Sequence, residues 1–276
     1  MNEPLPAATN PKIVLLARDT VSASMLYNYV SKDIELAGII MENPITNWEM
    51  FRKRVRRIGL VKAVSQVCFI VFIAKPQGFF SRKRKKAIIE KYKLDITPIN
   101  RSLITWVSSV NAEDCRAVLQ KIQPDLVLVN GTRIISGKTL SCIHAPFINI
   151  HDGITPAFRG VHGGYWAMAT GHRDLFGTTI HFVDKGIDTG TIIRQVFTVP
   201  EATDNFSTYP LLQHAIALPA VTEILKSFLS GAPVATQEPV CENSPVRFHP
   251  SVMEWLKNRK RSLSLVFLLQ SVFYFI

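Results

Sequence analysis

Two runs in this chain, Ile13-Val14-Leu15-Leu16-Ala17 and Leu126-Val127-Leu128-Val129, are apolar at every position. A strand with no polar residue on either side needs cover on both faces, which a sheet open to water on one side does not give. Such runs belong inside a mostly parallel sheet with helices packed above and below it. Leu36-Ala37-Gly38-Ile39-Ile40 reads as a further strand, and residues 18–30 between carry Met25, Leu26, Tyr29 and Val30 as one apolar helical face. The opening is therefore a strand–helix–strand unit, and an α/β, Rossmann-like fold with a mostly parallel sheet is expected. More strands are expected over residues 103–110, 147–150, 178–183 and 192–199. Asn111 is read as the N-cap of a helix ending at Gln123, and a long helix is expected over residues 208–229.

The polar residues with the most chemical content cluster behind the strand Phe147-Ile148-Asn149-Ile150-His151. Asn149 and His151 are two apart, so on an extended chain both side chains leave the same face. Gly153, Pro156 and Gly160 then break regularity and place the loop at a strand end, where open α/β sheets bind ligands. A carboxamide beside an imidazole is suited to holding a developing oxyanion and moving a proton. Taken singly, an Asn at a strand end is usually a turn former, and a His among apolar neighbours is usually structural. A second block adds weight. His181-Phe182-Val183 runs into a glycine-rich acidic loop with Asp184, Gly186, Asp188 and Gly190, and the apolar run then resumes at Ile192. A hairpin of that kind can return a carboxylate towards His151.

Asn149-x-His151, the Pro156 loop ending in Arg159-Gly160, and His181-Phe182-Val183 followed by Asp188-x-Gly190 stand here in order. Together they resemble the signature of the folate-dependent formyltransferase family, which includes glycinamide ribonucleotide formyltransferase, methionyl-tRNA formyltransferase and the sugar N-formyltransferases. The resemblance covers residues 12–42 and 103–230. It implies Asn149, His151 and Asp188 as the catalytic set. It also implies Thr132, Arg133, Ile134 and Ile135, with Val183 and Asp184, as residues around 10-formyltetrahydrofolate, and Arg159 as a substrate contact. Two readings stand for His162, a contact to substrate or a cap on the helix that follows. The implied reaction moves a formyl group from 10-formyltetrahydrofolate to a primary amine of a small molecule, an amino sugar or an amino-acid-like amine. Two alternatives remain open: hydrolysis of the same formyl-folate, or a non-catalytic, membrane-associated binding protein on the same fold. His144, His151, His162 and Asp152 match no recognised ligand spacing, so no metal is expected. The chain departs from the glycinamide ribonucleotide enzyme, which has a Gly-Ser-Asn phosphate cradle after its first strand; no glycine stands between Arg18 and Met25 here. The residues after Gly231 are too few for the tRNA-binding β-barrel of the methionyl-tRNA enzymes, so no nucleic-acid partner is expected.

Charge is unevenly spread. The net +11 lies mostly in residues 52–93 and 257–261, away from the chemistry. Arg52, Lys53, Arg54, Arg56 and Arg57 precede an apolar run over residues 67–74, and Arg82 to Lys86 follow it. That run is too short to span a bilayer. It reads either as an inserted helical region packed on the domain or as a basic surface resting on membrane or nucleic acid. The chain divides into a catalytic domain over residues 12–230, with an insert at 43–102, and a helical C-terminal extension over 231–276. Residues 263–276 are nearly all apolar and need cover from the domain, a second subunit in a homodimer, or lipid. Cys68, Cys115, Cys142 and Cys241 form no Cys-x-x-Cys pair, as in proteins of reducing compartments. Residues 1–11 lack a signal-peptide pattern. The expected location is cytoplasmic, with peripheral contact at the inner face of the membrane.

Overall fold

Alternation along the buried strands divides the core in two. In the computed structural model, which describes residues 11–262, β1 (Ile13–Arg18) sends Ile13, Leu15 and Ala17 into one apolar cluster and Val14 and Leu16 into another. β4 (Leu126–Asn130) does the same, with Leu126 and Leu128 on the first side and Val127 and Val129 on the second. The first cluster is covered by α1 (Val21–Val30) and by the long helix α9 (Tyr209–Leu229); the second is covered by α6 (Glu113–Ile122). Each fully buried Leu or Ile contributes about 1.5–3 kcal/mol over its exposed state. This two-sided burial is why the strands carry no polar residue.

The sheet has seven strands in the order β3-β2-β1-β4-β5-β6-β7. β2 (Gly38–Glu42), β3 (Ile104–Val107), β1, β4 and β5 (Phe147–His151) are mutually parallel. β6 (Gly177–Phe182) runs antiparallel to both its neighbours, β5 and β7 (Ile192–Phe197). The fold is α/β and Rossmann-like. The chain walks outward from β1 to β3 and returns to β4, so the order reverses between β1 and β4. A crevice outside the carboxyl ends of the strands forms at such a reversal. Arg18, Asn130 and His151 end their strands there.

Several boundaries differ from expectation. The strand expected over 103–110 contracts to β3, because a short 3₁₀ turn occupies Arg101–Leu103 and a turn begins at Ser108. Asn111 does not cap α6; Ala112 holds that position with no side-chain hydrogen bond. Its carboxamide instead accepts from the Ser136 amide at 2.7 Å and donates to the Ile134 carbonyl at 2.8 Å. A distant loop with unpaired backbone groups outcompetes the local cap.

The insert is helical: α2 (Asn47–Ile58), α3 (Leu60–Phe69), α4 (Lys75–Phe80) and α5 (Arg82–Lys91). The apolar run within it is longer than the sequence suggests. A π turn at Ile70–Ala74 joins α3 to α4, giving a 21-residue helix, Leu60–Phe80, long and apolar enough by length and composition to cross a membrane. Two polar residues ahead of positions 67–74 lie off its outer stripe. Gln66 is buried and donates to the His249 carbonyl; Lys62 pairs with Glu254 of α10 (Val252–Ser262) at 3.1 Å. Phe69 sits edge-on to Phe206, 4.9 Å between ring centres. The opposite stripe faces outward, with Val61 at 85% and Phe72 at 73% exposure.

After α9 the chain returns as an extended strap. Its Ser244 amide donates to the Pro156 carbonyl at 3.2 Å, and its Arg247 amide to the Arg159 carbonyl at 2.8 Å. The strap then enters α10, which packs on α3 and on α8 (Gly163–Thr170), the helix that follows the short α7 (Gly137–Leu140) in the chain. The apolar tail over 263–276 lies outside the described residues.

Candidate active site

β5 places Asn149 and His151 on the side of the sheet occupied by Phe147 and the second apolar cluster. Both line a cavity of about 610 Å³ at the reversal of strand order, within the ~300–1,000 Å³ typical of small-ligand sites. The His151 ring is held from behind. Its Nε2 donates to the Phe158 carbonyl at 2.7 Å, since a carbonyl only accepts. Gly153 makes that approach possible: a Cβ there would stand 2.8 Å from the same Nε2. The other ring nitrogen, Nδ1, faces Asp188 Oδ2 at 3.5 Å.

β6 runs antiparallel to β5, so residues 183–190 leave the sheet beside Phe147, at the far end from His151. The loop folds back, and Asp188 adopts φ +51° in that return. Its Oδ2 accepts from the Gly160 amide at 2.8 Å, and its Oδ1 lies 3.7 Å from Nε2 of His181. His181 was not singled out as a functional residue by sequence reasoning. Its Nδ1 donates to its neighbour's carbonyl, Phe182 O, at 2.7 Å, and its Nε2 lies 3.2 Å from the Asn149 amide nitrogen. Burial, reinforced by the nearby His151, pushes its pKa below the ordinary imidazole range. A neutral His181 accepts one Asn149 N–H and leaves the second free.

Behind this centre runs a buried polar chain. Ser22 Oγ donates to Asn130 Oδ1 at 3.1 Å, the Asn130 amide nitrogen lies 2.9 Å from His214 Nε2, and His214 Nδ1 lies 2.9 Å from Asp152 Oδ1. Burial disfavours the charged form of His214. The Asp152 carboxylate, by its charge and its hydrogen bond, outweighs it and lifts the pKa above the ordinary range. Sequence reasoning missed His214 because it sits sixty residues away on α9. Its place beside Gln213, the two standing as polar residues in a buried stretch that is otherwise apolar, is the signal it gives.

Thr132, Ile134 and Ile135 line one wall of the cavity, and Val183 and Asp184 lie in the wall formed by the returning loop. Arg133 is also in the lining, but its amide and guanidinium both clamp Glu42, at 2.8 and 2.7 Å. Asp184 closes its own loop by accepting from the Gly186 amide and the Thr189 hydroxyl. Arg159 is not among the lining residues; its guanidinium donates to the Ser244 carbonyl at 2.8 Å. His162 precedes α8 in the left-handed region, φ +59°, and makes no side-chain cap. It lines the cavity, with its Nε2 2.9 Å from that of His249. The strap residues Val246, Arg247, Phe248 and His249 complete the far wall with Arg54 and Arg57 of α2. Among the described residues, no three His, Cys, Asp or Glu stand together as a metal site.

The family model described as formyl transferase matches residues 64–209, just over half of the chain. The chain belongs to the formyltransferase family. Phosphoribosylglycinamide formyltransferase of Mycobacterium tuberculosis is 42% identical over 74 residues, 26% of this chain and 34% of that protein. Formyltetrahydrofolate deformylase 1 of Arabidopsis thaliana is 32% identical over 116 residues, 42% of this chain and 36% of that protein. The match thus spans about a third of the length of these curated relatives. A 4-N formyltransferase from Francisella tularensis superimposes with a TM-score of 0.54 over 88% of this chain and 78% of that one, at 14% identity, a likeness of fold. This formyltransferase-family chain keeps its Asn149, His151 and Asp188 within one cavity.

Proposed function

We propose that this site transfers a formyl group from 10-formyltetrahydrofolate to a primary amine of a small molecule, of the amino-sugar or amino-acid type. The observation that carries the reading is the convergence of Asn149, His151 and Asp188 in one cavity, two from a strand face and the third from a loop that doubles back. Bound 10-formyltetrahydrofolate would supply an activated formyl group. The second N–H of Asn149 and the Nδ1 side of His151 are the donors for the negative charge that grows on the formyl oxygen. Nε2–H of His151 is committed to Phe158 O, and the 3.5 Å from Nδ1 to Asp188 Oδ2 is longer than a normal hydrogen bond, so an Nδ1–H is left for the formyl oxygen. Asp188 is anchored through Oδ2 by Gly160, and its Oδ1 makes no hydrogen bond among the described residues. That oxygen is placed to take the proton released by the attacking amine.

Thr132, Arg133, Ile134 and Ile135 with Val183 and Asp184 form the folate pocket in this reading, supported by their place on two facing walls. A reduced-folate analogue should protect both segments from hydrogen exchange together; protection of neither at saturation would remove the assignment. Hydrolysis of the formyl-folate is the second reading, favoured by the match to a formyltetrahydrofolate deformylase. Dependence of turnover on added amine separates the two.

The proposal includes a location: the cytoplasm, with the insert resting on an anionic bilayer. Fourteen Lys or Arg stand between Asn47 and Lys93 against Glu49 and Glu90. Those that neither line the cavity, as Arg54 and Arg57 do, nor pair with a distant carboxylate, as Lys62 and Arg84 do, are each worth about 1 kcal/mol near such a surface. Phe69, Gln66 and Lys62 tie the inner face of the Leu60–Phe80 helix to the protein. The helix therefore lies flat, with Val61 and Phe72 turned to lipid.

A further inference from the structure

Four arginines among the described residues are paired with carboxylates. Arg84 pairs with Asp204 and Glu201, Arg116 with Glu113, Arg133 with Glu42 and Arg194 with Glu223. Arg54 and Arg57 of the insert and Arg247 of the strap line the cavity and have no carboxylate partner among the described residues; Arg18, at the end of β1, lines it too and is likewise unpaired there. Arg57 stacks on Phe248 with its guanidinium carbon 4.5 Å from the ring centre, and Arg247 on Trp166 at 5.4 Å. Stacking engages the flat face of a guanidinium and leaves its N–H edge for oxygen. Arg247 Nε is buried with no partner. Arg54 is half-buried, and its guanidinium donates to Met50 Sδ at 3.6 Å.

We propose that Arg54, Arg57 and Arg247 form an anion subsite of the cavity, which takes a phosphoryl or diphosphate group carried by the acceptor amine. The inference rests on the formyltransferase reading of the adjacent centre. Guanidinium charges held in a cavity without counter-ions need an anion there. Three forks suit a multiply charged, many-oxygen group better than a lone carboxylate, which one arginine satisfies. The acids of the cavity do not oppose it. Asp152 is paired with His214, Asp184 closes its own loop, and Asp188 belongs to the catalytic centre. His162 and His249, in ring-to-ring contact beside Phe248, add bulk to this compartment and leave the positive charge to the arginines. The parts come from the insert and the strap, not from the turn after β1. There Thr20 uses its own side chain to cap α1 and Ser22 is bonded to Asn130.

The same chemistry has a second source, the glutamate carboxylates of the folate, and the test separates them. Pyrophosphate binding to the full chain is measured by calorimetry, alone and with a saturating reduced-folate analogue. Both ligands should bind together. Arg57→Gln and Arg247→Gln should each weaken pyrophosphate ~10-fold or more, the effect of losing a charge-assisted hydrogen bond. Lys83→Gln, outside the cavity, should change nothing, and Arg57→Lys should fall between. Absence of pyrophosphate binding to the wild-type chain overturns the subsite while leaving folate binding, and so the formyltransferase reading, intact. Displacement of pyrophosphate by the analogue assigns the arginines to the folate and also overturns it. Failure of the analogue to bind, with pyrophosphate still held, counts against the formyltransferase reading instead.

Discussion

The Cα of Gly160 faces the backbone of Arg247 so closely that no side chain fits between them, and the Gly160 amide at the same time donates to Asp188 Oδ2 at 2.8 Å. One residue thus joins the Asp188 loop to the strap that follows α9. Gly160 has φ +95°, a conformation disfavoured for residues with a Cβ. Gly160→Ala should therefore cost about 1–3 kcal/mol of stability and lower turnover more than folate affinity, because it shifts Asp188. Denaturant unfolding together with steady-state kinetics checks this. Unchanged stability and turnover would show the contact to be unimportant.

Asn149→Ala and His151→Ala should each reduce turnover ~10²-fold or more, the scale of losing an oxyanion donor. His181→Ala should act more mildly and through Asn149, whose amide it orients at 3.2 Å. Steady-state rates at saturating substrates decide the order; His181→Ala as damaging as Asn149→Ala would promote His181 to a direct role.

Stability should peak near neutral pH for opposing reasons. Burial, followed by the charge of Arg54, pushes His249 down to about 4, so the unfolded chain binds its proton first as pH falls. That contribution is complete above pH ~6.5 and is lost as pH drops towards 4, on the order of 1–3 kcal/mol. His214 has the opposite sign, since its folded pKa is raised: its contribution is present below pH ~6.5 and fades as pH rises. Unfolding free energies across this range should show a shallower acid limb in His249→Gln. An acid limb identical to wild type would contradict the burial argument.

Much of this was legible in the residues themselves. The apolar runs at 13–17 and 126–129 dictate a doubly covered sheet, and Asn149 with His151 announce a shared face through spacing alone. Other features were not legible, because they depend on contacts far apart in sequence. Nothing in residues 246–249 says that they wall the cavity; the bridge to Gly160 and the contacts of Gln66, His162 and Trp166 with residues 248–249 bring them there. Polar residues flanking positions 67–74 made the insert's apolar run look short, although Gln66 is buried, Lys62 is paired sideways and the helix runs on from Leu60 to Phe80. Asn111 looked like a cap until a loop twenty-five residues away competed for it.

The outward stripe of the insert should bind lipid. Val61→Glu with Phe72→Glu should abolish sedimentation with anionic vesicles and leave formyl transfer to a soluble amine unchanged. Dissociation of a dimer by the same changes, with no vesicle binding in the wild type, would assign the stripe to a second subunit.

The most direct measurement is a mass-resolved screen of phosphorylated and unphosphorylated primary amines with 10-formyltetrahydrofolate, run beside His151→Ala. An amine that gains one formyl group, at a rate that depends on its concentration and collapses in the variant, is the expected result. Consumption of the formyl-folate at the same rate with no amine present would contradict the account and make the chain a hydrolase.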